Sequence, residues 1–162
     1  MEFSWSVWRS LPHMRAGSLC LLLAVVLGSC SANPRSFFGG DLKLQVESAP
    51  DANQNSPVAV ELLVISNEQV LAEAMKLSAQ KWFEGRDEFR RDHPDGYVSW
   101  SWEWVPGQEV AAQKLAFGVG ARAGLLFSDY SSPGNHRQRF DPHQSILLRL
   151  AETDFAVEAR GR

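Results

Sequence analysis

The sequence predicts an all-β domain, a two-sheet antiparallel β-sandwich with one helical insertion. Several segments alternate apolar and polar residues, which is the pattern of half-buried strands. Turn-forming Pro, Gly, Asn and Asp separate these segments. A single segment instead has apolar residues at helical spacing. Among the 162 residues, these features begin only after an apolar run near the amino terminus.

The apolar run near the amino terminus, Ser18 to Leu27, has the length of a signal-peptide core and is too short to span a bilayer. Arg9 and Arg15 precede it. The following Leu27-Gly28-Ser29-Cys30 resembles a bacterial lipobox. In such signals the thiol receives a diacylglycerol, the chain is cut before the cysteine, and the new amino terminus is acylated, for example with palmitate. The alternative is a plain secretory signal with an incidental cysteine.

The lipobox interpretation divides the chain into a signal peptide (1–29), a lipidated tether (30–40) and a β-sandwich domain (41–162). Met14 in place of Met1 would begin a more compact signal. Since Cys30 would carry lipid, the remaining chain has no free thiol for a disulfide or a metal. Ser31 after the cysteine favours the outer membrane, with the domain facing the periplasm.

The charge balance limits the classes of partner. The chain has a formal net charge of −3, and removal of Glu2, Arg9 and Arg15 with the signal makes the remainder more acidic. A mildly acidic domain lacks the basic patch that nucleic acids or anionic headgroups require. We therefore expect no nucleic-acid partner, and we expect membrane attachment to come from the lipid.

Two alternating segments open the domain, residues 41–48 (DLKLQVES) and residues 56–66 (SPVAVELLVIS). The first has the period of two expected of a strand. The second has Val58, Val60, Leu62 and Val64 on one face, and Leu63 and Ile65 make its far end apolar on both sides. Residues 49–57 (APDANQNSP) between them are rich in turn formers and longer than a tight hairpin needs. Because long loops on a rigid sheet often carry binding residues, this loop is a candidate site.

The predicted helical insertion follows the second strand. Ser66 and Gln69 fit a capping box, and a charged tail ends at Pro94 and Gly96. Its apolar stripe at helical spacing consists of Leu71, Met75, Ser78 and Trp82. Such a stripe is far more often part of a core than of a cofactor site, so we predict that it packs against the sheet.

Three tryptophans alternate along the next predicted strand, YVSWSWEWVPG. Trp100, Trp102 and Trp104 therefore share one face with Val98. Large indoles on one face usually pack in a core, and no cluster of Asp, Asn or Gln accompanies them. The alternative is a stacking platform for a sugar.

The remaining segments predict two more strands in residues 108–132 and a closing hairpin in residues 145–162. Between them, His136, Asp141 and His143 could be read as a metal loop. Pro133, Gly134 and Pro142 indicate a loop with solvated histidines instead. With no G-x-S-x-G motif either, we predict no catalytic residue, metal, cofactor or small-molecule substrate.

The order of these parts, together with three short motifs, resembles the TssJ family, outer-membrane lipoproteins of the bacterial type VI secretion system. The motifs are the Ser-Pro-Val-x-Val strand beginning at Ser56, the turn Val105-Pro106-Gly107, and Phe127-Ser128-Asp129. The resemblance extends over residues 41–159. The long segment 67–95 and the tryptophan-rich SWSWEW depart from it.

The resemblance implies a transthyretin-like β-sandwich that acts as a scaffold and not as an enzyme. It also implies a partner, the periplasmic part of the inner-membrane protein TssM, bound through the loop between the first two strands. On this sequence that loop consists of Ala49, Pro50, Asp51, Ala52, Asn53, Gln54, Asn55 and Ser56. The alternative function is a periplasmic carbohydrate- or peptidoglycan-binding lipoprotein that uses Trp100, Trp102 and Trp104.

Overall fold

The computed structural model describes residues 39–161, so the predicted signal peptide and Cys30 lie outside the described residues. The domain consists of two four-stranded sheets with strand orders β4-β1-β7-β8 and β3-β2-β5-β6. The strands are β1 (Gly40–Ser48), β2 (Val58–Ile65), β3 (Tyr97–Trp104), β4 (Gln113–Phe117), β5 (Ala123–Asp129), β6 (Arg137–Phe140), β7 (Ser145–Leu150) and β8 (Phe155–Arg160). Helices α1 (Glu68–Ala74) and α2 (Ala79–Asp92) connect β2 to β3. The predicted β-sandwich with a helical insertion is confirmed.

One strand pairing departs from the antiparallel pattern. β1 and β7 are parallel, with Leu44 opposite Ile146 and Ser48 opposite Leu150. All other named pairs in the described residues are antiparallel. Alternation along a single strand reports which face is buried but not the direction of its neighbour, so the pattern could not reveal this pair.

The inner faces of the two sheets form the main core. In β1, Leu42, Leu44 and Val46 are buried, whereas the intervening residues are exposed. The opposing sheet contributes Val60 and Leu62 from β2. The alternation predicted for β1 is confirmed. Burial of the apolar surface between the sheets is the main term that stabilises the sandwich.

The tryptophans of β3 belong to this core, although to different degrees. Trp104 is 3% exposed, and Trp102 stacks on it with ring centroids 5.3 Å apart. Trp100 and Trp102 lie on the edge strand and pack partly against the main core. The core interpretation is therefore confirmed for Trp104, and the three indoles do not form an open platform for a sugar ring.

A second core lies beneath the helices, on the outer face of the sheet formed by β3, β2, β5 and β6. Leu63 and Phe127 of β2 and β5 pack there against Val70, Ala79 and Trp82. Because the helices cover this face, β2 and β5 are buried on both sides, and their sequences are nearly continuous apolar runs. None of the helices in the described residues combines the length and the apolarity needed to cross a bilayer.

The insertion contains two helices where the sequence predicts one. Asn67 begins α1, with its Oδ1 accepting hydrogen bonds from the N–H groups of Gln69 (2.8 Å) and Val70 (3.2 Å). Ser78 begins α2 by accepting from Lys81 N–H at 3.3 Å. The capping box assigned to Ser66 is wrong, because its hydroxyl donates to the Gly96 carbonyl. An Asx cap satisfies two free N–H groups at once, which favours Asn67.

The segment predicted as a histidine loop contains a short strand, β6. Its residues Arg137–Phe140 pair with β5. Gln138 also bridges to the other sheet, since its side-chain amide donates to the Val157 carbonyl (3.0 Å) and accepts from the Val157 N–H (2.9 Å). A strand of four largely polar residues carries too little apolar alternation to be recognised from the sequence.

Candidate functional site

Four loops meet at one end of the sandwich, which we call the distal end: residues 49–57, 105–112, 130–136 and 151–154. Ala49 accepts a hydrogen bond from Gly107 N–H (3.0 Å) and donates its own N–H to Leu150 (2.9 Å). β1 begins at the opposite, proximal end with Gly40. A strand of nine residues spans about 30 Å, so the distal loops lie far from the amino-terminal entry of the domain.

The loop predicted to bind a partner contains a left-handed turn, Ala52–Asn55. Asn53, Gln54 and Asn55 have φ angles of 47°, 55° and 63°. Asparagine tolerates this region better than most residues, but Gln54 has no such advantage. The conformation therefore depends on contacts that the loop makes with its surroundings.

Asn53 provides most of these contacts and is only 3% exposed. Its side-chain amide donates to the Pro57 carbonyl (2.8 Å), and its Oδ1 accepts from Ser131 N–H (2.8 Å). Its backbone N–H donates to Ala151 (3.1 Å), and the next N–H, from Gln54, donates to Glu152 (3.1 Å). These contacts of Asn53 and Gln54 fix the conformation of the loop against two of the other distal loops.

The eight predicted binding residues fall into two groups. Ala52 and Asn53 are buried and hold the turn in place. Pro50, Asp51, Gln54 and Asn55 are exposed at the distal end, and Ala49 and Ser56 are half-buried. Only the exposed group presents whole side chains to solvent.

The distal loops are acidic. Asp51, Glu109, Glu152 and Asp154 belong to them, and the four loop sequences contain no Lys or Arg. A surface of one charge sign attracts the opposite sign and speeds association with it. The electrostatics of this end therefore favour a partner with a basic docking face.

His136 connects two of the distal loops and is only 8% exposed, so the prediction of a solvated histidine is wrong at this position. Its Nδ1 lies 2.9 Å from Asp154 Oδ1, and its Nε2 lies 2.8 Å from the Ser132 carbonyl. The ring stacks on Tyr130 with centroids 5.2 Å apart. Burial raises the pKa of Tyr130 to about 12, so its phenol stays neutral near neutral pH.

The set Ser132, His136 and Asp154 contains the residue types of a catalytic triad without its arrangement. The Ser132 hydroxyl lies 3.4 Å from His136 Nε2 but donates to the Thr153 carbonyl. Since Nε2 faces a carbonyl oxygen, it is not placed to remove the hydroxyl proton. These residues instead connect the distal loops to one another. The sequence did not predict this cluster, because no sequence pattern links Asp154 to Ser132 and His136.

The suggested metal ligands His136 and His143 flank β6 and lie at its opposite ends. His143 Nε2 is 3.3 Å from the Ala121 carbonyl at the proximal end. Within residues 39–161, no group of three His, Cys, Asp or Glu side chains is arranged to hold a metal ion.

No protein-family model matches the chain, and no curated protein does either. Solved structures do match. The T6SS lipoprotein TssJ1 from Pseudomonas aeruginosa aligns with a TM-score of 0.57 at 14% identity, covering 76% of this chain and 98% of that one. The described domain has the TssJ fold.

Two further structures share the TssJ fold. Serratia marcescens Lip, a membrane-bound component of the type VI secretion system, has a TM-score of 0.57 at 13% identity, covering 76% of this chain and 99% of its own. A chain of a type VI membrane complex has a TM-score of 0.54 at 13% identity, covering 73% and 97%. At these identities the likeness is one of fold, and it agrees with the fold expected from the short motifs.

Replacing Asn53 by alanine should lower the free energy of unfolding by about 2–3 kcal/mol. The change removes two side-chain hydrogen bonds, leaves the Ser131 N–H without its acceptor, and places alanine at positive φ. Urea unfolding followed by circular dichroism measures the loss. Asn55→Ala is the matched control, because Asn55 has a similar φ but an exposed side chain. Equal losses in both variants would show that the Asn53 hydrogen bonds contribute nothing.

Proposed function

We propose that this chain is an outer-membrane-anchored lipoprotein of a type VI secretion membrane complex that binds the periplasmic part of a TssM-like inner-membrane protein. The observation that carries the proposal is the fold that the domain shares with T6SS lipoprotein TssJ1 and with Lip. The lipobox-like sequence ending at Cys30 supports the proposal independently of the fold, because this sequence lies outside the residues that were aligned by their structure.

The positions of the two ends suit a mechanical link between membranes. The tether, residues 30–40, joins the domain at the proximal end through Gly40. Eleven residues reach at most about 35–40 Å, so a lipid on Cys30 keeps the domain close to its membrane. The candidate binding loop lies at the distal end, where it faces away from the tether attachment. Such a protein transmits force and performs no reaction.

The binding loop has two properties expected of a recognition element. It is held rigidly through Asn53, so little conformational entropy is lost when it binds. Its exposed residues Pro50, Asp51, Gln54 and Asn55 lie in an acidic surface. We therefore propose that the TssM-like partner presents Lys or Arg side chains to this loop.

A pull-down from detergent-solubilised envelopes tests the proposal. The bait is the full chain, and the double variant Asp51→Lys with Gln54→Ala changes exposed side chains while leaving Ala52 and Asn53 in place. We expect the double variant to recover at least about tenfold less TssM-like protein, because charge reversal at a docking face costs affinity. Asp95→Lys is the matched control, since Asp95 is an exposed acid outside the distal loops.

The outcomes separate the function from the assignment of the loop. Equal recovery by all three chains would remove loop 49–56 from the interface while leaving the partner in place. Failure of the unaltered chain to recover any TssM-like protein would contradict the proposed function itself.

A further inference from the structure

Strand β3 is a long and unprotected edge of its sheet. It has eight residues and pairs with β2 on one side, and no other strand of residues 39–161 pairs with its second side. The pairing with β2 continues residue by residue from Tyr97 to Trp104, without a bulge that would bend the edge away. The backbone N–H and C=O groups along the second side are therefore a template for another strand.

The other three sheet edges of the described domain carry features that discourage such pairing. β6 has only four residues, two of them arginines, and β4 has five residues and carries Lys114. On β8, the Gln138 side chain occupies the backbone groups of Val157. β3 contains no lysine and no proline, and Glu103 is its only charged residue. Since proteins protect sheet edges by such means, β3 is the edge that is left open to an added strand.

We propose that β3 pairs with β3 of a second copy of this chain, in an antiparallel and two-fold symmetric dimer. Opposite residues in an antiparallel pair point to the same face of the sheet, so the tryptophan side of one copy continues the tryptophan side of the other. The register centred on Ser101 pairs residues 98–104 of the two copies. It places Trp100 of each copy opposite Trp102 of the other.

In this register β3 is complementary to itself. Glu103 lies opposite Ser99 of the other copy, so no like charges meet across the pair. Trp100 and Trp102 are half-buried in the single chain, and the two cross-strand aromatic pairs cover more of both indoles. A second copy therefore supplies large apolar side chains at the spacing that this edge requires.

The dimer is compatible with the lipid anchor proposed above but does not depend on it. Antiparallel pairing places the proximal ends of the two copies at opposite ends of β3, and eight residues of strand span about 27 Å. Because the tether, residues 30–40, reaches at most about 35–40 Å, both lipids can insert into one membrane. The distal loops take no part in the strand pairing, so the inference goes beyond the proposed function.

Disulfide cross-linking of the full chain in isolated cell envelopes tests the proposal. Opposite residues in an antiparallel pair have Cα atoms about 4.5–5.5 Å apart, which suits a disulfide. Ser101→Cys places two thiols opposite each other at the two-fold axis, so we expect copper–phenanthroline to link two copies. Ser99→Cys is the matched control, because its two thiols are offset by four residues, about 13 Å. We expect it to give at least about tenfold less dimer.

A pair of co-expressed variants tests the register. Ser99→Cys and Glu103→Cys chains should each form little dimer alone but should link to each other, since these positions are opposite. A longer affinity tag on the Glu103→Cys chain identifies the mixed dimer by its mass. The unaltered chain gives the background from any unmodified Cys30. All three substituted positions are exposed or half-buried, so these small changes are expected to leave the fold intact.

The remaining outcomes would each overturn the proposal. Ser101→Cys might give no dimer above the background of the unaltered chain, which would show that the two strands do not meet. Equal dimer yields from the three cysteine variants alone would indicate random collisions. A Ser101→Cys chain that links only to a different envelope protein would assign the edge to another occupant. Dimers of Ser101→Cys without the mixed dimer would contradict the register on which the self-complementarity rests.

Discussion

Replacing Trp82 by alanine is expected to lower the free energy of unfolding by about 4 kcal/mol. Trp82 is fully buried between helix α2 and the sheet. Its indole stacks on Phe127 with centroids 4.9 Å apart and an interplanar angle of 8°, and it meets the edge of Phe89 at 5.2 Å. The truncation removes these contacts and leaves a cavity that α2 cannot fill without moving.

Urea unfolding monitored by far-ultraviolet circular dichroism measures this loss without relying on tryptophan fluorescence. Trp100→Ala is the matched control, since it removes the same atoms from a half-buried position on an edge strand. We expect a loss of about 1–2 kcal/mol there. Similar losses for the two variants would show that the contacts of Trp82 with Phe127 and Phe89 add no more stability than a half-buried indole at a sheet edge.

Replacing Glu61 by alanine is expected to lower the free energy of unfolding by about 3 kcal/mol, which is the second large effect. Glu61 is a fully buried carboxylate on the outer face of β2. It accepts a hydrogen bond from Trp82 Nε1 (3.1 Å) and pairs with Arg86 (3.0 Å) and Arg90 (3.6 Å). Alanine would leave the buried indole N–H without an acceptor, whereas the two arginines are partly exposed and regain water.

The variant Glu61→Gln separates the contribution of the indole hydrogen bond to stability from that of the carboxylate charge. The amide oxygen still accepts from the Trp82 indole, so we expect a loss of only about 1 kcal/mol by urea unfolding. Glu103→Ala, at an exposed position of β3, serves as the control and should stay within about 0.5 kcal/mol. A glutamine variant as unstable as the alanine variant would show that the ion pairs, not the indole hydrogen bond, hold the helix.

The sequence predicted those features that depend on neighbours along the chain. Alternation in residues 41–48 identified β1, and the apolar residues that include Trp82 indicated a helical insertion packed on the sheet, although the predicted stripe runs across the break between α1 and α2. Turn formers marked the loop 49–57 between the first two strands. The same local signals failed where they were weak, as at β6, and where they were ambiguous, since both Ser66 and Asn67 are residue types that cap a helix.

The features that escaped prediction depend on partners far apart in the chain. The Asn53 amide is satisfied by Ser131, which follows 78 positions later, and Glu61 becomes buried only because Trp82 and Arg86 fold over it. The parallel pairing of β1 with β7 likewise joins the first strand to the seventh. No local sequence pattern encodes such long-range contacts, because they follow from the completed topology.

The bridge from Gln138 to Val157 has a consequence for how copies of this protein coexist. β8 is an edge strand, and free backbone groups on such an edge are a template for pairing with another chain. The Gln138 amide occupies both the N–H and the C=O of Val157, so an incoming strand finds this stretch of the ladder already satisfied. The lipid anchor proposed above would concentrate the molecules in two dimensions, where strands at sheet edges meet more often. A single side chain thus protects part of the β8 edge from pairing with another copy of the chain.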